Sequence, residues 1–280
     1  MPRTLTPLEL IERSLQKKYR KALWTPFILA VKRYALIRAG DRVAVCVSGG
    51  KDSMLLAMLM RQLERYGDVP FQAVYLAMDP GFNPPDRRQL EENGARLGIP
   101  LEIFETDVFR SAGVAAGENP CYLCARMRRG HLYSRARELG CGKIALGHHF
   151  NDVIETTVMG MLYGAQLQGM MPKLRSAHFP GMELIRPLYC VREADIAAWR
   201  DYHGLHFSDC ACRFAAKGEA ASARRAVKAL IEGLRRDNPD VEKSLFSAIH
   251  SVCPETFPGW KQLGERHSFL ERYGDPDPAP

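Results

Sequence analysis

From Asp41 onward, short apolar runs alternate with longer segments whose apolar residues recur at helical spacing. The runs Arg42 to Val47, Phe71 to Met78, Leu101 to Thr106 and Lys143 to Leu146 predict strands, and segments 52–66, 86–97, 122–139 and 151–163 predict helices. Regular alternation of the two implies crossover connections, and hence a parallel sheet with helices on both faces. Glu183 to Leu188 reads as a further strand, 164–182 as a loop rich in Gly, Met and Gln, and 193–203 and 220–250 as helical. Ahead of this block, 7–38 reads as helix, with Leu8, Ile11, Leu15, Leu23, Ile28 and Val31 on an apolar face broken near Thr25-Pro26. The pattern divides the chain into a helical segment at 1–40, an α/β domain at 41–215, a basic helical segment at 216–255 and a tail at 256–280. Gly274 to Pro280, rich in Pro and Asp, reads as disordered. The expected fold class is α/β, a doubly wound parallel sheet with helical N- and C-terminal appendages.

The first strand runs directly into Ser48-Gly49-Gly50-Lys51-Asp52-Ser53, and a helix opens at once behind it. Paired glycines at such a turn let successive backbone N–H groups converge on an anion at the helix N-terminus. Lys51 adds a point charge, and Ser48 and Ser53 add hydroxyls. The turn fits neither G-x-x-x-x-G-K-[ST] nor G-x-G-x-x-G. In doubly wound sheets ligands bind at the carboxyl ends of the strands. Ala77-Met78-Asp79, Gly147-His148-His149 and the loop from Val108 to Pro120 are all expected at that edge. Asp152, opening the helix behind Leu146, is a candidate magnesium ligand or helix cap, as His148 and His149 are candidate nucleotide contacts or strand caps.

Charge changes the picture further. The chain carries a formal net charge of +7, which suggests an anionic partner. The basic residues cluster at Lys17, Lys18, Arg20 and Lys21, at Arg126, Arg128 and Arg129, at Lys173 and Arg175, and along 224–236. No apolar run approaches the ~20 residues of a membrane span, and Met-Pro-Arg-Thr-Leu-Thr-Pro has no apolar leader core. A cytoplasmic protein with no membrane contact is expected.

In that setting the eight cysteines point to metal or redox chemistry rather than disulfides. Cys121 and Cys124 form a C-x-x-C pair, with Arg126, Arg128 and Arg129 to favour the thiolate form. Cys210 and Cys212 form a second, C-x-C pair. Structural zinc, a redox pair and a three-cysteine iron–sulfur cluster with one open iron all fit this spacing. Cys46, Cys141, Cys190 and Cys253 are expected simply to pack.

S-G-G-K-D-S resembles the signature of the PP-loop ATP pyrophosphatases, of adenine nucleotide α-hydrolase-like fold, which split ATP between its α and β phosphates. With C-Y-L-C at 121, G-H-H-F-N-D at 147, I-R-P-L at 185 and a late cysteine pair in that order, residues 20–255 resemble the TtcA family of tRNA 2-thiocytidine synthetases. Family-like phrases also occur at Tyr163-Gly164, Gly169 to Leu174 and Leu245 to Ile249. The resemblance implies a [4Fe–4S] cluster on Cys121, Cys124 and a late cysteine. Cys212 is favoured over Cys210 because the family's late pair is C-x-x-C with its second member as ligand.

The resemblance further implies ATP held by Ser48, Gly49, Gly50, Lys51, Asp52, Ser53, Met78 and Gly147, with Mg²⁺ on Asp52 or Asp152. Arg128 would stabilise the transferring phosphate, and Asp152 would share the catalytic work. The cytidine C2 oxygen of a tRNA anticodon loop would be adenylated and replaced by sulfur from a cysteine desulfurase or sulfide. A homodimer is also implied. The alternative is a PP-loop ligase or thiolase acting on another tRNA base, its cysteines binding zinc.

Overall fold

The computed structural model describes residues 4–108, 120–207 and 219–273, and the disorder expected for Gly274–Pro280 lies outside them. The chain forms two compact units, Met1–Leu230 and Ile231–Pro280.

The first unit opens with helix α1 (Pro7–Gln16), whose N-cap Thr6 forms a capping box with Glu9. A five-residue π-helical stretch, Arg20–Trp24, leads straight into α2 (Thr25–Arg33). The helical run therefore breaks at Lys17–Tyr19, ahead of Pro26, which sits in the first turn of α2 where its missing N–H is tolerated. Strands and helices then alternate: β1 (Arg42–Val47), α3 (Lys51–Tyr66), β2 (Gln72–Asp79), α4 (Pro84–Arg96), β3 (Leu101–Glu105), α5 (Pro120–Glu138), β4 (Lys143–Ala145) and α6 (Phe150–Gly164). β5 (Lys173–Arg175), β6 (Glu183–Ile185) and α7 (Glu193–Tyr202) follow, and α8 (Glu219–Asp237) crosses the unit boundary.

Strand order is β3-β2-β1-β4-β6-β5. All neighbours pair parallel except β5, which pairs antiparallel to β6. The expected parallel sheet is thus present, with an antiparallel edge strand inside the segment read as loop. Three residues between Pro172 and Ser176 leave too short a period-2 pattern to detect.

Side-chain alternation along β1 builds both faces. Val43, Val45 and Val47 join a core with Ile11, Leu15, Leu23 and Phe27 of the N-terminal segment, Leu55 to Met60 of α3, and Ile196 and Trp199 of α7. Ala44 and Cys46 point the other way, against Leu76, Ile144, Leu184 and, from α5, Tyr133 and Ala136. Burying a side chain such as Leu15 or Trp199 removes apolar area from water at roughly 25 cal/mol per Å². The N-terminal helices thus form part of the layer that covers one face of the sheet.

At the N-terminal ends of the strands, Lys143 is 7 % exposed in its side chain. Its ammonium donates to the Leu36 carbonyl at 3.0 Å and pairs with Asp41 at 2.5 Å and Glu183 at 3.5 Å. A buried ammonium needs such partners, because unpaired burial of charge costs several kcal/mol.

Within the second unit, α9 (Val241–Ala248) follows Asn238-Pro239-Asp240, where proline stops the run read as helix to 250. A two-stranded antiparallel hairpin, β7 (Gly259–Gln262) and β8 (Glu265–Ser268), lies in the segment read as tail. Its turn residues Leu263 and Gly264 have φ of 52° and 92°, the positive pair that a type I′ turn requires.

Candidate active site

Strand order reverses between β1 and β4, and this switch point is where a doubly wound sheet opens a crevice at its carboxyl edge. A cavity of about 560 Å³ lies there. Its walls include Ser48, Gly50, Asp52 and Ser53 after β1, Met78 on β2, Gly147 and His148 after β4, Asp152 on α6, Arg128 and Arg129 on α5, and Arg186 after β6. Of the predicted site residues, Gly49 and Lys51 belong to the same turn without lining the cavity.

The turn is rigidly built. Gly49 has φ of 90°, a region where a side chain would be strained. Gly50 is the N-cap of α3 and has no side chain to satisfy the first N–H groups, which leaves them for an anion. Ser53 Oγ donates to the Gly50 carbonyl at 2.9 Å and accepts from Ser48 N at 3.1 Å, and Ser48 Oγ donates to it at 3.1 Å. Both hydroxyl protons therefore bind inside the turn, and the backbone N–H groups are the donors left for a phosphate. Gly147 passes close to this helix start, since a Cβ there would lie 3.2 Å from Asp52 C and Ser53 N. Those backbone atoms belong to the α3 N-terminus, so only glycine fits without moving it.

Lys51 is drawn to the side of the turn. Its ammonium contacts Asp52 Oδ2 and Glu193 Oε1, each at 3.1 Å. Burial alone would lower its pKa, but the two carboxylates reverse the sign and hold it above the ordinary lysine value. Lys228 on α8 takes the other Glu193 oxygen at 2.6 Å, and the Glu193 backbone N–H donates to Asn151 Oδ1 at 3.0 Å. Burial opposes ionisation of Glu193, yet Lys228 and Lys51 outweigh it and bring its pKa down to about 2.

Two aspartates flank His149. Asp52 Oδ1 is buried and has no hydrogen-bond partner among the described residues, with His149 Nε2 3.9 Å away. Asp152 Oδ2 accepts from the His149 backbone N–H at 3.0 Å, while His149 Nδ1 accepts from Asp152 N at 3.3 Å, a capping box that starts α6. Asp152 is thus both cap and cavity wall. Its second oxygen, Oδ1, accepts from Arg224 at 3.2 Å.

Opposite them, Arg186 is 9 % exposed. It donates to the Met171 carbonyl and, through Nε, to His148 Nδ1 at 3.3 Å. Burial brings the Arg186 pKa down to about 10. Burial, then the neighbouring guanidinium of Arg186, push His148 from 6.5 down to about 4. His148 is therefore a neutral imidazole at pH 7, accepting at Nδ1 and carrying its proton on Nε2.

This shift has a measurable consequence. Between pH 6.5 and 4 the unfolded chain binds a proton at residue 148 that the native state refuses, so stability is full above 6.5 and falls as pH drops towards 4. At about 1.4 kcal/mol per unit, partly screened because the ring is half-buried, the loss from pH 7.5 to 5.0 is at most about 2 kcal/mol. Glu193 does not share this window, because a carboxylate lowered to about 2 keeps its contribution until pH falls below its ordinary 4.5. Urea unfolding at the two pH values is expected to show the loss in wild type and a smaller loss in His148→Gln; equal losses would refute the assignment.

Cys121 and Cys124 fall within the first five residues of α5, which begins at Pro120, two residues ahead of the start expected at 122. Positions 121, 124 and 128 are spaced i, i+3, i+7 and share one helix stripe, and Arg128 of that stripe lines the cavity. Cys210 and Cys212 lie outside the described residues. Of the remaining cysteines, Cys46 and Cys141 are buried as expected, Cys190 is half-buried, and Cys253 is exposed, which contradicts plain packing there. Burial pushes the Cys46 thiol up to about 12, so it is inert although it lines the cavity. The sequence showed Arg186 only as part of I-R-P-L and Arg224 only as part of a basic run, and it did not mark Glu193: the pairings of these residues with His148, Asp152 and Lys51 span 38, 72 and 142 positions.

The fold and this edge define a class. Residues 12–213 match the PP-loop domain family. The chain is 35 % identical over 263 residues to the tRNA-cytidine(32) 2-sulfurtransferase of Chromohalobacter salexigens, covering 91 % of this chain and 86 % of that protein. It is 37 % identical to that of Xanthomonas euvesicatoria pv. vesicatoria, covering 89 % and 83 %. The chain therefore belongs to the tRNA-cytidine(32) 2-sulfurtransferase family of PP-loop proteins, and it is a sulfurtransferase. Among solved structures, the U34-tRNA thiolase NcsA of Methanococcus maripaludis, with its [4Fe–4S] cluster, shares the fold at a TM-score of 0.63. Sequence identity to it is 20 %, over 81 % of this chain and 76 % of that one. No helix among the described residues is long and apolar enough to cross a membrane.

Proposed function

We propose that this chain thiolates tRNA, adenylating the C2 oxygen of a cytidine in the anticodon loop with ATP and replacing it with sulfur. The observation that carries the reading is the cavity at the β1/β4 switch point, on which the Ser48–Ser53 turn, Asp152 and the α5 stripe of Arg128 converge. An anticodon loop can present an unstacked base to such a cavity, where a duplex cannot.

The backbone N–H groups of Gly49 to Ser53 hold the triphosphate, and Lys51 turns from its carboxylates to the phosphate oxygens. Lys228 keeps Glu193 compensated once Lys51 has moved. Ala77 and Met78 offer backbone to the adenine edge. The free, buried Asp52 Oδ1 and the wall position of Asp152 suit an oxygen-ligated Mg²⁺. The base oxygen attacks the α-phosphate and pyrophosphate leaves, while Arg128 stabilises the charge that develops on the phosphoryl group. Sulfur then attacks C2, and AMP departs.

Cys121 and Cys124, one turn apart at a helix N-terminus beside exposed Arg126 and half-buried Arg128, are a thiolate donor set suited to a [4Fe–4S] cluster. Cys212 is the assigned third ligand. When bound, such a cluster with one open iron would supply a Lewis-acid site for sulfide, taken up as free sulfide or released by an external thiol reductant from the persulfide of a cysteine desulfurase. The exposed basic residues Lys17, Lys18, Arg20 and Lys21 suit tRNA phosphates.

The test is nucleoside mass spectrometry of tRNA from cells with and without this protein. Loss of 2-thiocytidine on deletion is expected. Unchanged 2-thiocytidine with loss of another thiolated base would move the reading to a thiolase of that base.

A further inference from the structure

Arg224 and Lys228, one turn apart on α8, point back to the nucleotide side of the molecule. Arg224 Nη1 donates to Asp152 Oδ1 at 3.2 Å, Nη2 donates to Thr156 Oγ1 at 3.4 Å, and Nε lies 3.7 Å from Glu155 Oε2. Its side chain is 44 % exposed, whereas that of Asp152 is 14 % exposed. An exposed cation thus covers the one oxygen of Asp152 that the helix cap leaves free.

An ion pair this exposed is weak, and RNA competes with it well. A backbone phosphate offers a guanidinium a forked, charge-assisted contact, and neutralising phosphates releases counterions from the RNA. Exchange of Arg224 from carboxylate to phosphate leaves Asp152 held by its cap through Oδ2, with Oδ1 uncovered on a residue that lines the cavity.

We propose that Arg224 is an RNA-sensing positioning residue: without RNA it covers Asp152 Oδ1, and a substrate phosphate draws it away, freeing Asp152 for ATP chemistry. The inference rests on the reading of Asp152 as part of an ATP site whose co-substrate is RNA. It makes ATP cleavage depend on substrate arrival, so that water, the nucleophile left when no base oxygen is present, does not split ATP to AMP and pyrophosphate between tRNAs.

The test compares wild type with Arg224→Gln and Arg224→Lys, measuring AMP and pyrophosphate formation with and without tRNA, the KM for tRNA, and thermal unfolding. Wild type is expected to be stimulated by tRNA. Arg224→Gln is expected to raise the tRNA-free rate about two- to fivefold, the range of an exposed ion pair, and to shrink the stimulation by the same factor. Arg224→Lys, which lacks the forked geometry, is expected to fall between the two and serves as the decisive variant if glutamine prevents folding. A raised KM with an unchanged tRNA-free rate would make Arg224 a plain backbone contact and overturn the proposal. A lowered rate in both conditions, with reduced thermal stability, would make it a counter-ion of buried Glu155 and overturn it equally. AMP formation without 2-thiocytidine would sink the sulfur-transfer reading and leave this inference standing; no AMP from wild type would sink both.

Discussion

Lys51→Ala is expected to reduce tRNA-dependent AMP and pyrophosphate formation by about 10²–10³, the cost of removing one charge that stabilises the transferring phosphate. The turn itself should survive. Its shape comes from Gly49 at positive φ and from the Ser53 hydroxyl bridging Ser48 and Gly50, none of which involves the ammonium. Glu193 keeps Lys228 as a partner. Binding of tRNA, assigned above to basic residues outside this turn, should change little. Thin-layer analysis of α-labelled ATP reads the product directly. Undiminished AMP formation, or ADP as the wild-type product, would contradict the assigned role of the turn.

Cys121→Ser and Cys124→Ser are each expected to lose bound iron and sulfide and to lose 2-thiocytidine formation, while tRNA-dependent pyrophosphate release persists and AMP stays joined to the base oxygen. The separation follows from geometry. Apart from Arg128, the groups assigned to activating the base oxygen come from the loops after β1 and β4 and the helix starts behind them, whereas Cys121 and Cys124 belong to the first five residues of α5. Iron and sulfide assay after anaerobic purification, with nucleoside analysis of the same samples, checks both halves. Stoichiometric zinc in a colourless wild-type protein would overturn the cluster assignment.

What could be read from the chain was what is written in consecutive residues. The parallel sheet followed from apolar runs spaced by amphipathic segments, and the anion cradle followed from two glycines and a lysine set between strand and helix. The edge strand β5 escaped because Lys173, Leu174 and Arg175 are too few to show a period, and its place in the sheet comes from pairing with β6. The hairpin at 259–268 escaped because Leu263 is a poor advertisement for a turn that needs positive φ. Glu193 is an ordinary charged residue in local view, and Arg186 and Arg224 show only as members of a short phrase and of a basic run. Their meaning arises only when folding brings Glu193 to Lys51, Arg186 to His148 and Arg224 to Asp152. The sequence shows Asp152 as a carboxylate at a helix start but not that its two oxygens have separate duties.

The placement of Lys143 has a consequence for how this protein tolerates change. The same strands carry a buried charge held by Leu36, Asp41 and Glu183 at one end, and the cradle and cavity at the other. Damage at the lysine end lowers how many molecules are folded in a cell, and damage at the cradle end lowers what each folded molecule does. A genetic screen that scores only total tRNA modification would merge the two, whereas raising expression would rescue the first kind of allele and leave the second silent.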